Sequence, residues 1–305
     1  MWLHLNEAII DLMNSNSKPR FGFPPAREVY FPDEVCAKET NVLLEDRFFR
    51  GICLPNGTYK TTGTNRLHEI DDALCRFLKD TRKDLEILDV GVSSGVTSLE
   101  LVETMTQQGF KPRLTAVDIT IHAFLSRLPG GIDVLCESKG HILQIACPLF
   151  VKGRPHQPFS SLLRAILQSG IVILEALMKM GVFRCTDTKP VMLVSPRLLD
   201  KPEITIAEHD LNDDKPEWHG QFDVVRAANI LNEAYFGRPV LKKMLGYLCS
   251  YVRPNGFLVL VQTLESDNSN HGTIFTLSAD GKFSIACRIG DGHGLESLAH
   301  EVMDK

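Results

Sequence analysis

The sequence predicts an α/β protein with a mostly parallel sheet and helices on both faces, and three observations predict it. A short apolar run, Glu86-Ile87-Leu88-Asp89-Val90, turns through Gly91-Val92-Ser93-Ser94-Gly95 and then takes up helical spacing at Val96, Leu99, Val102 and Met105. This is the pattern of a buried strand, a tight turn and a helix. Further on, apolar runs and amphipathic stretches alternate, as strands and helices do in such folds. Three of the strand candidates end at acids, Asp89, Asp118 and Asp210, and open α/β sheets bind small molecules beyond those strand ends. With 305 residues, 44% of them hydrophobic, the chain has material for one sizeable core domain with additions.

The spacing of the turn selects among nucleotides. Gly91 lets the backbone pass close to a ligand, and Gly95 lets the helix begin against the strand with no side chain between them. A dinucleotide fingerprint needs glycine at the first, third and sixth turn positions, which here hold Gly91, Ser93 and Val96, so a dehydrogenase is disfavoured. The order acid-x-Gly-x-small-x-Gly, in Asp89, Gly91, Ser93 and Gly95, resembles motif I of the class I S-adenosylmethionine (SAM) dependent methyltransferases, with Ser93 where many members carry glycine. The resemblance covers roughly residues 66 to 121 and 191 to 305. It implies a Rossmann-like, seven-stranded, mostly parallel sheet with a C-terminal antiparallel hairpin, and SAM as cofactor. The positions it assigns to SAM are Asp89, Gly91, Ser93, Gly95, Asp118, Asp210, Leu211 and Ala228.

In chain order, residues 1–65 read as an N-terminal arm or cap: a short helix over Leu5 to Met13, then Pro- and aromatic-rich sequence without a period. From Arg66 to Leu78 the positions Leu67, Ile70, Ala73, Leu74 and Leu78 mark a helix, with Asp71 and Asp72 expected on its polar side. Tyr59, Lys60 and His68 flank the route to the cofactor. Leu114 to Asp118 is the second strand, and its acid suits the two ribose hydroxyls.

Residues 122–199 form an insertion, expected to be largely helical. It holds a strand pair, Ile132 to Cys136 and Ile142 to Ala146, and an apolar helix from Phe159 to Phe183. That helix is expected to serve as substrate lid, subunit interface or membrane face, and the two ends of the insertion flank the cofactor strands. Regular order resumes with a strand over Ile204 to Leu211. There the resemblance gives Asp210 the adenine amine and Leu211 the ring.

Phe222 to Leu231 looks like the fourth strand, whose end faces the methyl group. It lacks the Asn/Asp-Pro-Pro-aromatic corner of amide N-methyltransferases and carries Arg226 and Asn229. That pair is loosely similar to the Arg-Asn of the carboxyl-methylating chemotaxis methyltransferases. An arginine there suits a carboxylate through a bidentate pair, or else a neighbouring acid of the chain itself. A helix over Pro239 to Val252, a turn at Arg253-Pro254-Asn255-Gly256, a strand over Phe257 to Val261 and a hairpin about Asp280-Gly281 complete the pattern.

Composition narrows the partners. Net charge is −5 with a pI near 6.1 and there is no Lys/Arg block, so nucleic acid is not expected. The eight cysteines are scattered without a C-x-x-C pair, and the ten histidines lack an H-E-x-x-H motif. Reduced thiols and no metal are therefore expected. The first residues lack a basic region followed by an apolar core, and the charges within 159–183 argue against a membrane span, so a cytoplasmic protein is expected, peripheral membrane contact and a homodimer remaining open. The functional expectation is methyl transfer from SAM to an oxygen, carboxylate or hydroxyl, of a small or lipid-like acceptor. A hydroxyl acceptor would need a base, for which His209, His68 and His122 stand near strand or helix ends. The alternative is a non-catalytic SAM-binding sensor or scaffold, dimeric or membrane-associated through helix 159–183.

Overall fold

The computed structural model describes residues 41–303 apart from 53, 55–59, 61–62, 80, 129–131, 148–149, 154–160, 181–186 and 265. The helix expected over Leu5 to Met13 lies outside them. In chain order the elements are α1 (Asn41–Arg50), α2 (His68–Leu78), β1 (Asp84–Val90), α3 (Val96–Gln107), β2 (Lys111–Asp118), β3 (His122–Leu128), β4 (Ile132–Glu137), β5 (Ile142–Cys147), β6 (Phe150–Gly153) and α4 (Ser161–Lys179). They continue with β7 (Asp187–Met192), α5 (Pro196–Leu199), β8 (Ile204–Glu208), β9 (Phe222–Ala228), α6 (Arg238–Tyr251), β10 (Val252–Thr263), β11 (Asn270–Leu277), β12 (Phe283–Ile289) and α7 (Glu296–Met303). The chain forms two compact units: Thr62–Ile119 with Val194–Lys305, and Met1–Thr61 with Thr120–Leu193.

The first of these units carries a seven-stranded sheet in the order β12-β11-β10-β9-β1-β2-β8. The strands from β8 to β10 are parallel, and β11 and β12 close the edge as an antiparallel hairpin. The order 3-2-1-4-5 of its parallel strands is that of a doubly wound sheet, with the reversal beside β1. A strand covered on both faces needs apolar side chains on both, and β1 shows it: Ile87 joins one core cluster while Leu88 and Val90 join the other. Helices α2 and α3 cover the Ile87 side with Ile70, Leu74, Leu99 and Val102; α6 and α7 cover the other with Leu241, Leu245, Leu248 and Leu298.

Two expectations change here. The turn at Arg253 to Gly256 is a bulge inside the long strand β10, where the register against β9 shifts between Val252 and Phe257 and Asn255 takes a left-handed φ of 64°. Asp71 is not on the polar side of α2. It stands four residues after Leu67 and three before Leu74, within the apolar arc, and is 1% exposed.

The second unit corrects the expectation of a largely helical insertion. It holds a five-stranded antiparallel sheet, order β6-β5-β4-β3-β7, of which only β4 and β5 were legible as a pair. Its two faces alternate as an antiparallel sheet requires. Leu125, Leu135 and Leu143 pack with Phe48, Phe49 and Ile52 at and just beyond the end of α1; Val134, Cys136 and Ile142 pack with Ile171 of α4. Part of the N-terminal arm is thus a helix bound to the insertion's own sheet. Pro190 sits in β7, an edge strand, where a missing N–H is tolerated. Glu175 of α4 accepts the Ile142 backbone N–H at 2.8 Å, while Val172, Ile173 and Met180 are exposed. The side chains of residues 161–168, at the start of α4, lie outside the described ones. No helix among the described residues is long and apolar enough to cross a membrane.

Candidate functional site

Beneath the corner formed by β1 and α3 lies a buried ion cluster. Arg226 of β9 is fully buried, and in the parallel ladder it stands opposite Asp89 of β1. Its Nε donates to Asp89 Oδ1 at 2.9 Å and its Nη2 to Asp89 Oδ2 at 2.6 Å, a bidentate pair. Nη1 donates to Asp71 Oδ1 at 2.8 Å, and Nη2 also to the Thr97 carbonyl at 3.0 Å. Ser98 Oγ completes the set, donating to Asp89 Oδ2 at 2.6 Å. Burial pushes the Asp71 carboxyl up to about 7, against the pull of Arg226 and with the repulsion of Asp89. Burial also opposes the guanidinium charge, but Asp89 and Asp71 outweigh it and hold Arg226 above its ordinary range.

Above this cluster the chain turns from Gly91 to Gly95, with Gly91, Ser93 and Gly95 all left-handed at φ 75°, 57° and 79°. The Gly91 and Val92 amides donate to the Val117 carbonyl at 2.8 and 3.1 Å, the Gly95 amide to the Val92 carbonyl at 2.7 Å, and the Ser93 amide to Asp118 Oδ2 at 2.8 Å. These four amides are closed within the protein, so the turn does not offer them to a diphosphate. A Cβ on Gly91 would stand 2.9 Å from Ile230 Cδ1, and one on Gly95 2.2 Å from Leu198 Cδ2, so Gly95 makes room for α5. Asp118, 7% exposed at the end of β2, is held twice: its carbonyl also accepts from the His209 amide at 3.0 Å. One residue beyond, Asp210 Oδ1 accepts from the Asn212 amide and side chain at 2.9 and 3.0 Å, and Leu211 is buried. Three adjacent strand ends therefore present, in order, the glycine turn, a carboxylate and a second carboxylate. Together with the strand order, that decides the fold. It is a Rossmann-like, doubly wound α/β fold.

No family model matches the chain, and no curated protein does. Among solved structures it is similar to the CurJ carbon methyltransferase, at 12% identity over 88% of this chain and 48% of that one, TM-score 0.37. It is also similar to the citrinin polyketide synthase CMeT domain, at 15% identity over 66% and 35%, TM-score 0.36. A third is an O-methyltransferase family protein from Burkholderia thailandensis, at 11% identity over 66% and 39%, TM-score 0.31. The chain spans less than half the length of each of these three. The fold assignment rests on the strand order and the turn.

Within this fold, the residues proposed for chemistry separate. Arg226, considered as an acceptor-orienting group, is instead a buried cross-link with no exposed atom to offer, because two carboxylates and a carbonyl already take its donors. Asn229 is occupied as well. At a left-handed φ of 59° it accepts the Thr263 amide on Oδ1 at 2.6 Å and donates to Thr263 Oγ1 at 3.1 Å, tying the end of β9 to β10. Ala228 is half-buried beside it. His68 lies on the exposed first turn of α2, 3.3 Å from Asp72. Lys60 is buried in the other unit, where its amide donates to the Ile52 carbonyl; His122 opens β3 there, and Tyr59 lies outside the described residues. His209 packs edge-on to Trp218 at 4.9 Å, and its Nε2 is buried without a hydrogen-bond partner. Burial, and then Lys215, lowers its pKa, so it is neutral at pH 7. Ser94 Oγ, in the turn itself, is the other orphaned buried atom at this corner.

The sequence reading missed Asp71, Ser98, Ile230 and Trp218. Only Asp71 carried a signal, its place on the apolar arc of α2.

Proposed function

We propose that the chain binds SAM at the Asp118 corner and transfers its methyl group to an oxygen of a small or lipid-like acceptor. The observation that carries this is the hydrogen bond from the Ser93 amide to Asp118, which sets a carboxylate beside a glycine turn whose amides are already satisfied. Such a donor set suits a ribose diol and disfavours phosphates, so the residues fit a nucleoside without a diphosphate. In this reading Asp118 accepts from the ribose hydroxyls. Asp210 and the Leu211 backbone meet the adenine. When bound, SAM supplies a methyl carbon already made electrophilic by its sulfonium.

The protein's part is then to align the acceptor and exclude water. His209 directly follows β8, three strand spacings from β9, or about 14 Å, which in this reading is the adenine side and away from a base's position. Asn229 and Arg226 are spent on the fold. A carboxylate acceptor, which carries its own negative charge and releases no proton, therefore suits these residues better than a hydroxyl. Titration calorimetry with SAM and its demethylated product tests the first half: absence of binding by both sinks the reading. Methyl transfer from labelled SAM to a panel of carboxylic acids and alcohols tests the second.

The same occupied side chains favour one other reading, a SAM-binding sensor without turnover. Binding with no methyl release on any acceptor, including cell extract, would select it.

A further inference from the structure

The structure assigns Arg226 a positioning role: it fastens both flanks of the Gly91–Gly95 turn to β9, so that the cofactor-facing turn is preformed. Its relevance to catalysis rests on the SAM reading above.

The geometry is specific to that turn. Asp89 lies two residues before Gly91 and takes two hydrogen bonds from Arg226. Thr97 lies two residues after Gly95, and its carbonyl accepts from the same Nη2. Ser98, the next residue of α3, bonds back to Asp89. One guanidinium thus joins the last turn of β1 to the first turn of α3, and through Asp71 it also joins α2. Its planar fork is what permits this; a lysine ammonium is a single point on a flexible stem and cannot hold a carboxylate side-on while reaching a carbonyl. Between the fastened flanks stand three left-handed positions, Gly91, Ser93 and Gly95, of which Ser93 is not glycine. A left-handed residue with a side chain persists only where its surroundings over-determine it. The Ser93 amide is the one that meets Asp118. Loss of the fastening should therefore appear first at Ser93 and then at the ribose carboxylate.

The test compares the full-length parent with a neutral triple variant, Asp71→Asn, Asp89→Asn and Arg226→Met. Removing all three charges together leaves no buried ion uncompensated. Two readouts are taken: amide hydrogen exchange across residues 91–98 against β10, and SAM affinity by calorimetry. The expected result is a folded protein whose exchange at Ser93 to Ser98 rises at least about tenfold while β10 is unchanged, with SAM affinity falling by a similar factor. Parent-like exchange in the turn overturns the proposal. A globally raised exchange also overturns it, since it marks a merely structural cluster.

Ser98→Ala provides the milder variant should the triple one fail to fold. It deletes only the α3-side bond to Asp89 and should raise exchange at Val96 to Leu99 by about two- to tenfold, with unchanged exchange counting against the assignment. If the parent itself does not bind SAM, the functional reading fails, while the exchange data still decide the role of Arg226.

Discussion

Asp89 and Asp118 lie near the ends of neighbouring parallel strands, and both are buried, yet they do opposite work. Asp89 stands in register with Arg226 of β9 and is consumed by it; Asp118 stands in register with Glu208 of β8 and instead meets the Ser93 amide of the turn. The difference lies in what the next strand places across from each acid. A cation there turns a strand-end carboxylate into a cross-link of the core, whereas Asp118, with an acid in register across from it, bonds the glycine turn. The acid that opens a glycine turn and the acid that ends the following strand are alike in sequence, and only the pairing of strands distant in the chain separates them.

The comparison breaks most visibly at Arg226. Arg226→Met leaves Asp89 and Asp71 facing each other in the core, and the loss of one partner of a buried ion pair costs about 3–5 kcal/mol. Urea denaturation measures it, and a variant within about 1 kcal/mol of the parent would show that the cluster is hydrated. Asp118→Ala is the counterpart. It should weaken SAM binding by about 1.5–3 kcal/mol, roughly 10- to 150-fold, through lost charge-assisted hydrogen bonds, and change stability far less. Unchanged affinity in the folded variant would mean that the ribose is held elsewhere.

Protonation sharpens the contrast. Burial pushes the Asp71 carboxyl up to about 7 from its ordinary 3.8, so the folded protein binds the extra proton between those values. Its contribution is fully present below about pH 4 and is lost as pH rises through about 7. The groups facing it are Arg226, Asp89 and, more distantly, Glu100, which is itself raised by burial. His293 has the opposite sign. Burial lowers it from 6.5 to about 4, and as a neutral ring it accepts the Leu295 amide on Nδ1 at 3.1 Å. Its contribution is present above about pH 6.5 and is lost as pH falls towards 4.

The two groups oppose each other below about pH 6.5, so the parent alone will not reveal either. The stability difference between the parent and Asp71→Asn isolates the first. It should shift against the parent as pH rises between about pH 4 and about pH 7, and a difference independent of pH would sink the assignment.

The large sheet was legible because its strands are covered on both faces and read as apolar runs, with punctuation at Gly91, Gly95 and Asp280-Gly281. The sheet of the insertion was not. In β3, Phe124 is exposed beside buried Ala123 and Leu125, and β7 carries the charged Asp187 and Lys189 and also Pro190, which a strand tolerates at an edge. At the site, the turn and the order of its acids could be read. The fate of Asp89, Arg226 and Asn229 could not, because it depends on β9 lying beside β1 and β10, a pairing far apart in sequence.

The smallest expected effect comes from a pair that resembles Asp89–Arg226 on paper. Glu86, three residues earlier on β1, stands in register with Arg113 of β2, and both Nε, at 2.7 Å, and Nη2 of Arg113 donate to Glu86 Oε1. Charge type and cross-strand register are those of the buried pair; solvent is what differs, since the Arg113 side chain is 69% exposed. Water already solvates both ions there, so pairing replaces good hydration with a contact that salt screens and that costs side-chain freedom. Arg113→Ala should therefore leave the urea midpoint unchanged, and raising the salt concentration should act alike on parent and variant. A clear loss of stability at Arg113 would mean that cross-strand register, and not burial, decides the worth of a charge pair on β1, and the contrast between Asp89 and Asp118 would then need a different cause.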